Sequence, residues 1–107
     1  MIASVPYLPE KPLFIPLKGV YFDLFKSGEK NTEYRPYGPR WNERTCRVGR
    51  EVVLSRGYGK AHRLHGMVTG FEMRRDIVRT RAWQEIYGRK HEHVACIRIA
   101  LSIDGDA

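Results

Sequence analysis

The sequence has little cysteine and lacks a metal-binding pattern. Cys46 and Cys96 are its two cysteines, and their separation fits no zinc-binding spacing. Two cysteines without a preceding signal peptide favour a reduced, cytosolic compartment over a disulfide framework. His91 and His93 would share a strand face, but no acidic or cysteine partner stands at ligand spacing. We therefore expect neither a metal site nor a cofactor.

Long hydrophobic runs, internal repeats and low-complexity segments are also missing. No apolar run approaches the roughly 20 residues that a membrane-spanning helix needs, so no membrane association is expected. A chain of 107 residues predicts one domain that can bury a single core. Closely spaced prolines predict an extended lead-in at 1–12, followed by the domain at 13–104 and a frayed tail.

Acidic residues are in the minority. The chain has 12 Asp and Glu against 19 Lys and Arg, which gives a net charge of +7. Such a surplus in a small domain favours a polyanionic partner, with nucleic acid first. Arginines recur beside tyrosine and tryptophan, on which bases stack, and this favours RNA or another single strand. The alternative is that the charges only keep the domain soluble.

Apolar spacing predicts the element order β-α-β-β-β-α-β. The first helix carries Tyr21, Leu24 and Phe25 at helical spacing and ends at Ser27, where Gly28 provides a stop signal. The second helix begins after an N-cap at Thr80 and ends at Gly88. Curved, mostly antiparallel strands with few helices predict an α+β fold. We expect a small, partly open β-barrel of about five strands, with one or two short helices at its ends and a monomeric state.

Two strands show the clearest alternation. In the segment 63–73, Leu64 and Val68 are predicted on one face, and Met67, Phe71 and Met73 on the other. In the last strand, Arg98 and Ser102 are predicted to face outwards. The residues predicted to face inwards in that strand are Ala95, Ile97, Ile99, Leu101 and Ile103.

The segment "GEKNTEYR" contains a lysine, a glutamate and an arginine within six residues. Gly28 ends a helix, Lys30 lies in the following turn, and strand alternation places Glu33 and Arg35 on one face together with Tyr37. A lysine held near a carboxylate can act as a general acid and base, or as a charge clamp on phosphate. Arg35 offers bidentate recognition of a phosphate or a base edge. The alternative is an ordinary salt bridge with Arg35 on a solvated face.

Further candidates surround this segment. Tyr34, Tyr37 and Trp41 offer surfaces on which a base could stack. Arg56 and Tyr58, in "SRGYG", end a strand at a glycine turn and are expected at the mouth of the same cleft. Glu72 and Glu85 are candidates for a second acid, although a solvated position suits both. Arginines at the start of the second helix form the best basic patch, comprising Arg74, Arg75, Arg79 and Arg81.

With Gly28, Lys30, Glu33 and Arg35 at this spacing, the segment resembles the signature of the ASCH domain family. The preceding "LFIPLKGVYFDLFKSG" is similar to the opening strand and helix of the family, and "VVLSRGYG" to the strand and turn that follow in small bacterial or phage-type members. The resemblance implies a barrel related to the PUA fold, which elsewhere binds RNA. It also implies Lys30 and Glu33 as catalytic candidates, and as ligand-binding candidates Gly28, Arg35, Tyr37, Trp41, Arg56 and Tyr58.

The resemblance implies two different kinds of activity. Some members are amidohydrolases that deacylate modified cytidine, and others are nucleic-acid binders or ribonucleases. In the hydrolase branch a threonine nucleophile stands where this chain has Glu33, whereas Lys30 and Arg35 match. Thr32 is expected on the opposite face of the strand. The first expectation is therefore a domain that binds RNA or a modified nucleoside. The alternative is a small hydrolase, either an amidohydrolase acting on acylated cytidine or a ribonuclease.

Overall fold

The computed structural model describes residues 10–102, and the predicted element order is confirmed within them. The strands are β1 (Leu13–Leu17), β2 (Thr32–Pro36), β3 (Glu51–Arg56), β4 (Arg63–Arg74) and β5 (Val94–Leu101). The helices are α1 (Gly19–Ser27) and α2 (Arg81–Tyr87), and a short 3₁₀ turn at Asp76–Arg79 precedes α2. Most of the predicted lead-in, the predicted tail and Ile103 lie outside the described residues.

The five strands form one sheet in the order β1-β3-β4-β5-β2. The β1–β3 pair is parallel, whereas β3–β4, β4–β5 and β2–β5 are antiparallel. The sheet curls into a half-barrel, so the α+β prediction of a small, partly open barrel with two short helices is confirmed. Because β1 and β2 stand at opposite ends of the strand order, they are the two edges of the curled sheet.

Both helices end where local signals predicted. α1 ends at Ser27, and Gly28 adopts a left-handed conformation with φ of 86°, which glycine reaches without steric cost. Thr80 caps α2, since its side-chain oxygen accepts a hydrogen bond from the Trp83 backbone N–H at 3.3 Å. The buried side chains of α1 are Phe22 and Phe25, so the core face is shifted from the predicted Tyr21–Leu24–Phe25 stripe.

A bulge in β4 makes one predicted strand face wrong. Val68 pairs with Ile99, and Gly70 pairs with the next residue, Arg98, so one extra residue interrupts the alternation. Phe71 consequently packs against the main core, which also contains Leu64 and Val68, instead of facing away from them. Alternation read along a sequence cannot reveal such a bulge, because it depends on pairing with another strand.

The inward face of β5 is confirmed within the described residues, but its other face is covered as well. Ala95, Ile97 and Ile99 are buried in the main core, and Arg98 is exposed. Val94 and Cys96, on the opposite face, are buried with Trp83 of α2 in a second, smaller core. The half-barrel therefore has an apolar interior on one side of β5 and the helix α2 on the other.

Candidate ligand site between the edge strands

A cavity of about 470 Å³ lies between the edge strands of the sheet and α2, and is called the edge cavity here. The carboxyl end of β1 supplies Pro16 and Leu17, and Lys18 follows them. The segment of β2 and its preceding turn supplies the polar groups, and α1 and α2 supply aromatic rings. The lining residues with charged or aromatic side chains in these segments are Tyr21, Lys30, Glu33, Tyr34, Arg35, Trp83 and Tyr87.

Lys30, Glu33 and Arg35 meet in this cavity, as the sequence predicted. Lys30 Nζ lies 3.7 Å from Glu33 Oε1, and Arg35 Nε donates a hydrogen bond to Glu33 Oε2 at 2.7 Å. Their side chains are 17%, 10% and 16% exposed, respectively. Glu33 is thus a nearly buried carboxylate that two cations share. An ordinary salt bridge on a solvated face does not describe this arrangement.

Arg35 also joins the two edges of the sheet. Its Nη2 donates a hydrogen bond at 2.6 Å to the backbone carbonyl of Pro16 in β1, although Arg35 itself belongs to β2. The planar guanidinium can hold the Glu33 carboxylate and the Pro16 carbonyl at once because its donors are arranged in a rigid fork. Arg35 therefore has a structural task at the edge cavity in addition to any contact with a ligand.

Three aromatic rings surround the ammonium group of Lys30. Its Nζ lies 4.9 Å from the ring centre of Tyr34, 5.5 Å from that of Phe25 and 5.6 Å from that of Tyr21. Such rings attract a cation through their electron-rich faces. Burial nevertheless lowers the pKa of Lys30, and the nearby Glu33 charge opposes this effect. Lys30 is consequently a partly desolvated amine next to a carboxylate.

The α2 wall contains aromatic residues that were not singled out from the sequence. Trp83 and Tyr87 lie four positions apart on the helix, with ring centres 4.3 Å apart, and both line the edge cavity. Trp83 is 4% exposed, and its Nε1 is buried without a hydrogen-bond partner among residues 10–102. Burial raises the pKa of Tyr87. The four-residue spacing was the signal available in the sequence.

Two predicted stacking residues lie outside the edge cavity. The Tyr37 hydroxyl donates to the Glu43 carboxylate, which raises the pKa of Tyr37, and its ring contacts Phe71. Trp41 is buried in the main core, and the guanidinium of Arg35 lies 5.0 Å from its ring centre. Trp41 is therefore not an open surface for a base. Its ring packs against the guanidinium of Arg35 instead.

The glycine turn after β3 lies beside the end of β1, where the Gly57 N–H donates a hydrogen bond to the Leu17 carbonyl at 2.8 Å. Arg56 lies 3.6 Å from Asp23 of α1, and Tyr58 is 80% exposed beside Phe14. Neither residue is among those that line the edge cavity, and their expected position at its mouth stays a prediction. Gly28 also lies outside the lining and serves to end α1. Whether these three residues contact a ligand stays a prediction.

The alternative acids and the alternative nucleophile also lie outside the cavity lining. Glu72 is paired with Arg74 at 3.7 Å, and Glu85 with Arg81 at 3.3 Å. The Thr32 hydroxyl donates to the side chain of Asn31. Glu33 is thus the one acidic side chain among the described residues that line the edge cavity.

The described residues offer few other reactive groups. Between residues 10 and 102, no three His, Cys, Asp or Glu side chains are grouped so that they could hold a metal ion. Cys46 and Cys96 are both free thiols and are buried. Burial raises the pKa of each thiol, that of Cys96 to about 11. Neither helix of this region is long and apolar enough to cross a membrane.

No model of a known protein family matches the chain, and no curated protein matches it significantly. Any functional assignment therefore depends on the residues and geometry of the edge cavity.

Proposed function

We propose that this chain is an ASCH-type domain with a PUA-like barrel, and that its edge cavity binds a nucleoside, either free and modified or within a single strand of RNA. The observation that carries the proposal is the meeting of Lys30, Glu33 and Arg35, all from the "GEKNTEYR" segment, in one cavity with aromatic walls. The resemblance of that segment to the ASCH signature supports the same conclusion.

The size and lining of the edge cavity suit a single base with its sugar. Its volume of about 470 Å³ is within the range of roughly 300–1,000 Å³ that small-molecule sites occupy. Tyr21, Tyr34 and Trp83 provide flat apolar surface, while Lys30 and Arg35 provide hydrogen-bond donors. Flat apolar walls with a few fixed polar groups are the usual environment of a bound base.

The charge of the chain supports nucleic acid as the larger partner. The net charge is +7, and Arg74, Arg75, Arg79 and Arg81 cluster along the chain just before and within α2, the helix that lines the edge cavity. Lysines and arginines that neutralise phosphates release condensed counterions, so affinity for RNA should fall steeply as salt rises. The proposal also includes a cytosolic location, a monomeric state and no cofactor.

The test compares two lysine variants with equal net charge. Lys30→Met removes the amine from the edge cavity, whereas Lys26→Met removes an exposed charge from α1. Nucleoside affinity should fall by roughly tenfold or more in Lys30→Met and stay unchanged in Lys26→Met, as measured by calorimetry. Equal behaviour of the two variants would contradict the cavity as the site. RNA affinity that is flat from low to physiological salt would remove the nucleic-acid partner.

A second function, hydrolysis, is favoured by one observation. Burial lowers the pKa of Lys30 next to the nearly buried Glu33, which is the environment of a general acid–base pair. An amidohydrolase acting on acylated cytidine, or a ribonuclease, would fit this pair. The threonine nucleophile of the hydrolase branch has no counterpart, because Glu33 replaces it and Thr32 lies outside the cavity lining.

Glu33→Gln separates binding from hydrolysis. If Glu33 is a general base, turnover of an acylated cytidine or an RNA should drop by roughly two to four orders of magnitude while binding persists. Glu85→Gln, which changes an exposed carboxylate outside the cavity, is the matched control. Absence of turnover by the wild-type protein on all these substrates would eliminate hydrolysis and leave binding as the function.

A further inference from the structure

The turn between β3 and β4 carries an exposed aromatic ring that the edge cavity does not use. Tyr58 is 80% exposed, and it is not among the described residues that line the cavity. Its ring centre lies 6.4 Å from that of Phe14 in β1, and the guanidinium of Arg63 lies 5.3 Å from the Phe14 ring centre. Phe14, Tyr58 and Arg63 thus form a small surface cluster, which is called the turn platform here.

Hydrogen bonds hold the turn that presents Tyr58. The Gly57 N–H, next to Tyr58 in the chain, donates to the Leu17 carbonyl of β1 at 2.8 Å. The Ser55 hydroxyl donates to the Gly59 carbonyl at 3.1 Å, which closes the turn on its other side. A ligand that contacts Tyr58 therefore does not have to order the turn first, and binding avoids that entropy cost.

The turn platform adjoins the edge cavity along β1. Phe14 and Pro16 are half-buried and alternate with the buried Leu13, Ile15 and Leu17, so both lie on the face of β1 that points away from the main core. Pro16 lines the edge cavity, whereas Phe14 contacts Tyr58. Two residues along a strand span about 7 Å. A ligand longer than one nucleoside can therefore reach from the cavity to the turn platform.

The charges around the turn restrict what such a ligand is. Residues 52–71 include Arg56, Lys60 and Arg63 but no aspartate or glutamate. Lys60 is exposed, and the pair of Arg56 with Asp23, at 3.6 Å, is about half exposed on both sides, so water screens it. An exposed ring beside cations suits a nucleic-acid strand, because a base stacks on the ring and phosphates meet the cations. A free nucleoside has no phosphate and gains nothing from these charges.

We propose that the edge cavity takes a nucleotide within a single strand, of RNA, and that a neighbouring nucleotide of the same strand stacks on Tyr58 of the turn platform. Arg56 and Lys60 contact the phosphates beside the stacked base. This inference rests on the proposed binding of a nucleoside in the cavity, and it decides between the two forms of that ligand in favour of the strand.

Nucleosides and short strands of the same base test the choice of ligand. Adenosine, cytidine and uridine, and the homopolymeric tetranucleotide of each, are titrated into the wild-type protein by calorimetry. A base stacked on an aromatic ring contributes roughly 1–3 kcal/mol, so the tightest tetranucleotide should bind about tenfold or more tightly than its nucleoside. Nucleosides that bind as tightly as the tetranucleotides would overturn the inference and leave the proposed function intact, with a free nucleoside as the ligand. Tighter binding of the deoxyribose tetranucleotides would overturn RNA as the strand.

Two substitutions of Tyr58 test the stacking contact. Tyr58→Leu removes the aromatic face and keeps an apolar side chain, whereas Tyr58→Phe keeps the ring and is the matched control. Because Tyr58 is largely exposed, both variants should fold like the wild type. Tyr58→Leu should lower tetranucleotide affinity by about tenfold and leave nucleoside affinity unchanged, and Tyr58→Phe should bind both like the wild type.

Each other result has a defined meaning. Tetranucleotide affinity that Tyr58→Leu leaves unchanged, or that both variants lower equally, would overturn stacking on Tyr58. A loss of nucleoside affinity in Tyr58→Leu would place Tyr58 at the cavity itself and overturn a separate stacking position. If neither the nucleosides nor the tetranucleotides bind, this inference fails together with the RNA part of the proposed function.

Discussion

Two groups of charged side chains in this protein use the same residue types in different surroundings. Lys30, Glu33 and Arg35 meet in the edge cavity, with at most 17% of each side chain exposed. Arg81 and Glu85 form an i,i+4 pair on α2, 3.3 Å apart, with 93% and 67% of their side chains exposed. The 3.3 Å separation of the exposed pair lies between the 3.7 Å and 2.7 Å of the buried group, so burial is the main difference between the groups.

Burial changes what each pair contributes. Water and salt screen the exposed Arg81–Glu85 pair, and the attraction barely exceeds the entropy lost by ordering two long side chains. The Glu33 carboxylate has lost much of its water, and two cations compensate for that loss. Removing one partner there leaves uncompensated charge in a poorly hydrated place. Four experiments follow, in order of decreasing expected effect.

Glu33→Ala should have the largest effect. It leaves Lys30 and Arg35 facing each other without their shared carboxylate, and breaking a buried pair in this way costs about 3 kcal/mol or more. Urea unfolding at neutral pH measures the change in the free energy of unfolding. A loss below about 1 kcal/mol would mean that the two cations are already well hydrated, and the contrast with the exposed pair would disappear.

Arg35→Lys should cost about 2 kcal/mol, because a lysine ammonium cannot hold the Glu33 carboxylate and the Pro16 carbonyl in the same fork. Hydrogen exchange locates the effect. Backbone amides of β1 should exchange faster in the variant, while those of β4 and β5, in the middle of the sheet, should be unchanged. Uniform acceleration across the sheet would show general destabilisation rather than a lost link between its edges.

Lys30 should make stability depend on pH in a defined window. Burial lowers its pKa in the folded chain below the ordinary value of 10.5. Between the lowered pKa and 10.5, Lys30 binds more protons in the unfolded chain than in the folded chain. The free energy of unfolding therefore rises with pH across this window. The contribution of Lys30 is lost again as pH falls through the lowered pKa. Unfolding of the wild type and Lys30→Met, compared from neutral pH to above 10.5, should show this rise in the wild type alone. Parallel curves would contradict it.

Glu85→Ala should have the smallest effect, within about 0.5 kcal/mol, because its partner Arg81 is almost fully exposed. The same urea unfolding measurement applies, with and without added salt. A loss comparable with that of Glu33→Ala would mean that exposure does not separate the two groups.

The local part of the fold and of the site was predictable from the sequence. Gly28 and Thr80 mark helix boundaries because backbone conformation and capping are decided by a few neighbouring residues. The grouping of Lys30, Glu33 and Arg35 followed from their position in a turn and on one strand. Phe71 was misplaced, since the bulge at Val68–Gly70 arises from pairing between strands.

The remaining part of the site required the fold. Trp41 follows the signature segment closely along the chain, yet it lies in the main core. Tyr58, expected at the mouth of the cavity, is not among its lining residues and is exposed beside Phe14. Trp83 is distant in sequence and lines the cavity with Lys30. Proximity along the chain was a poor guide to the positions of Trp41 and Trp83, because the curl of the sheet decides which surfaces meet.

By itself, the sequence determined the element order, the helix ends and the cluster of charged groups that follows α1. These features depend on backbone preferences and on spacing within a few residues, which every segment carries with it. The tertiary structure alone decided that β1 and β2 become facing edges, that Arg35 links them, and that α2 closes the cavity with Trp83. These contacts join residues far apart along the chain, and they exist only when the strand order and the curl of the sheet bring them together.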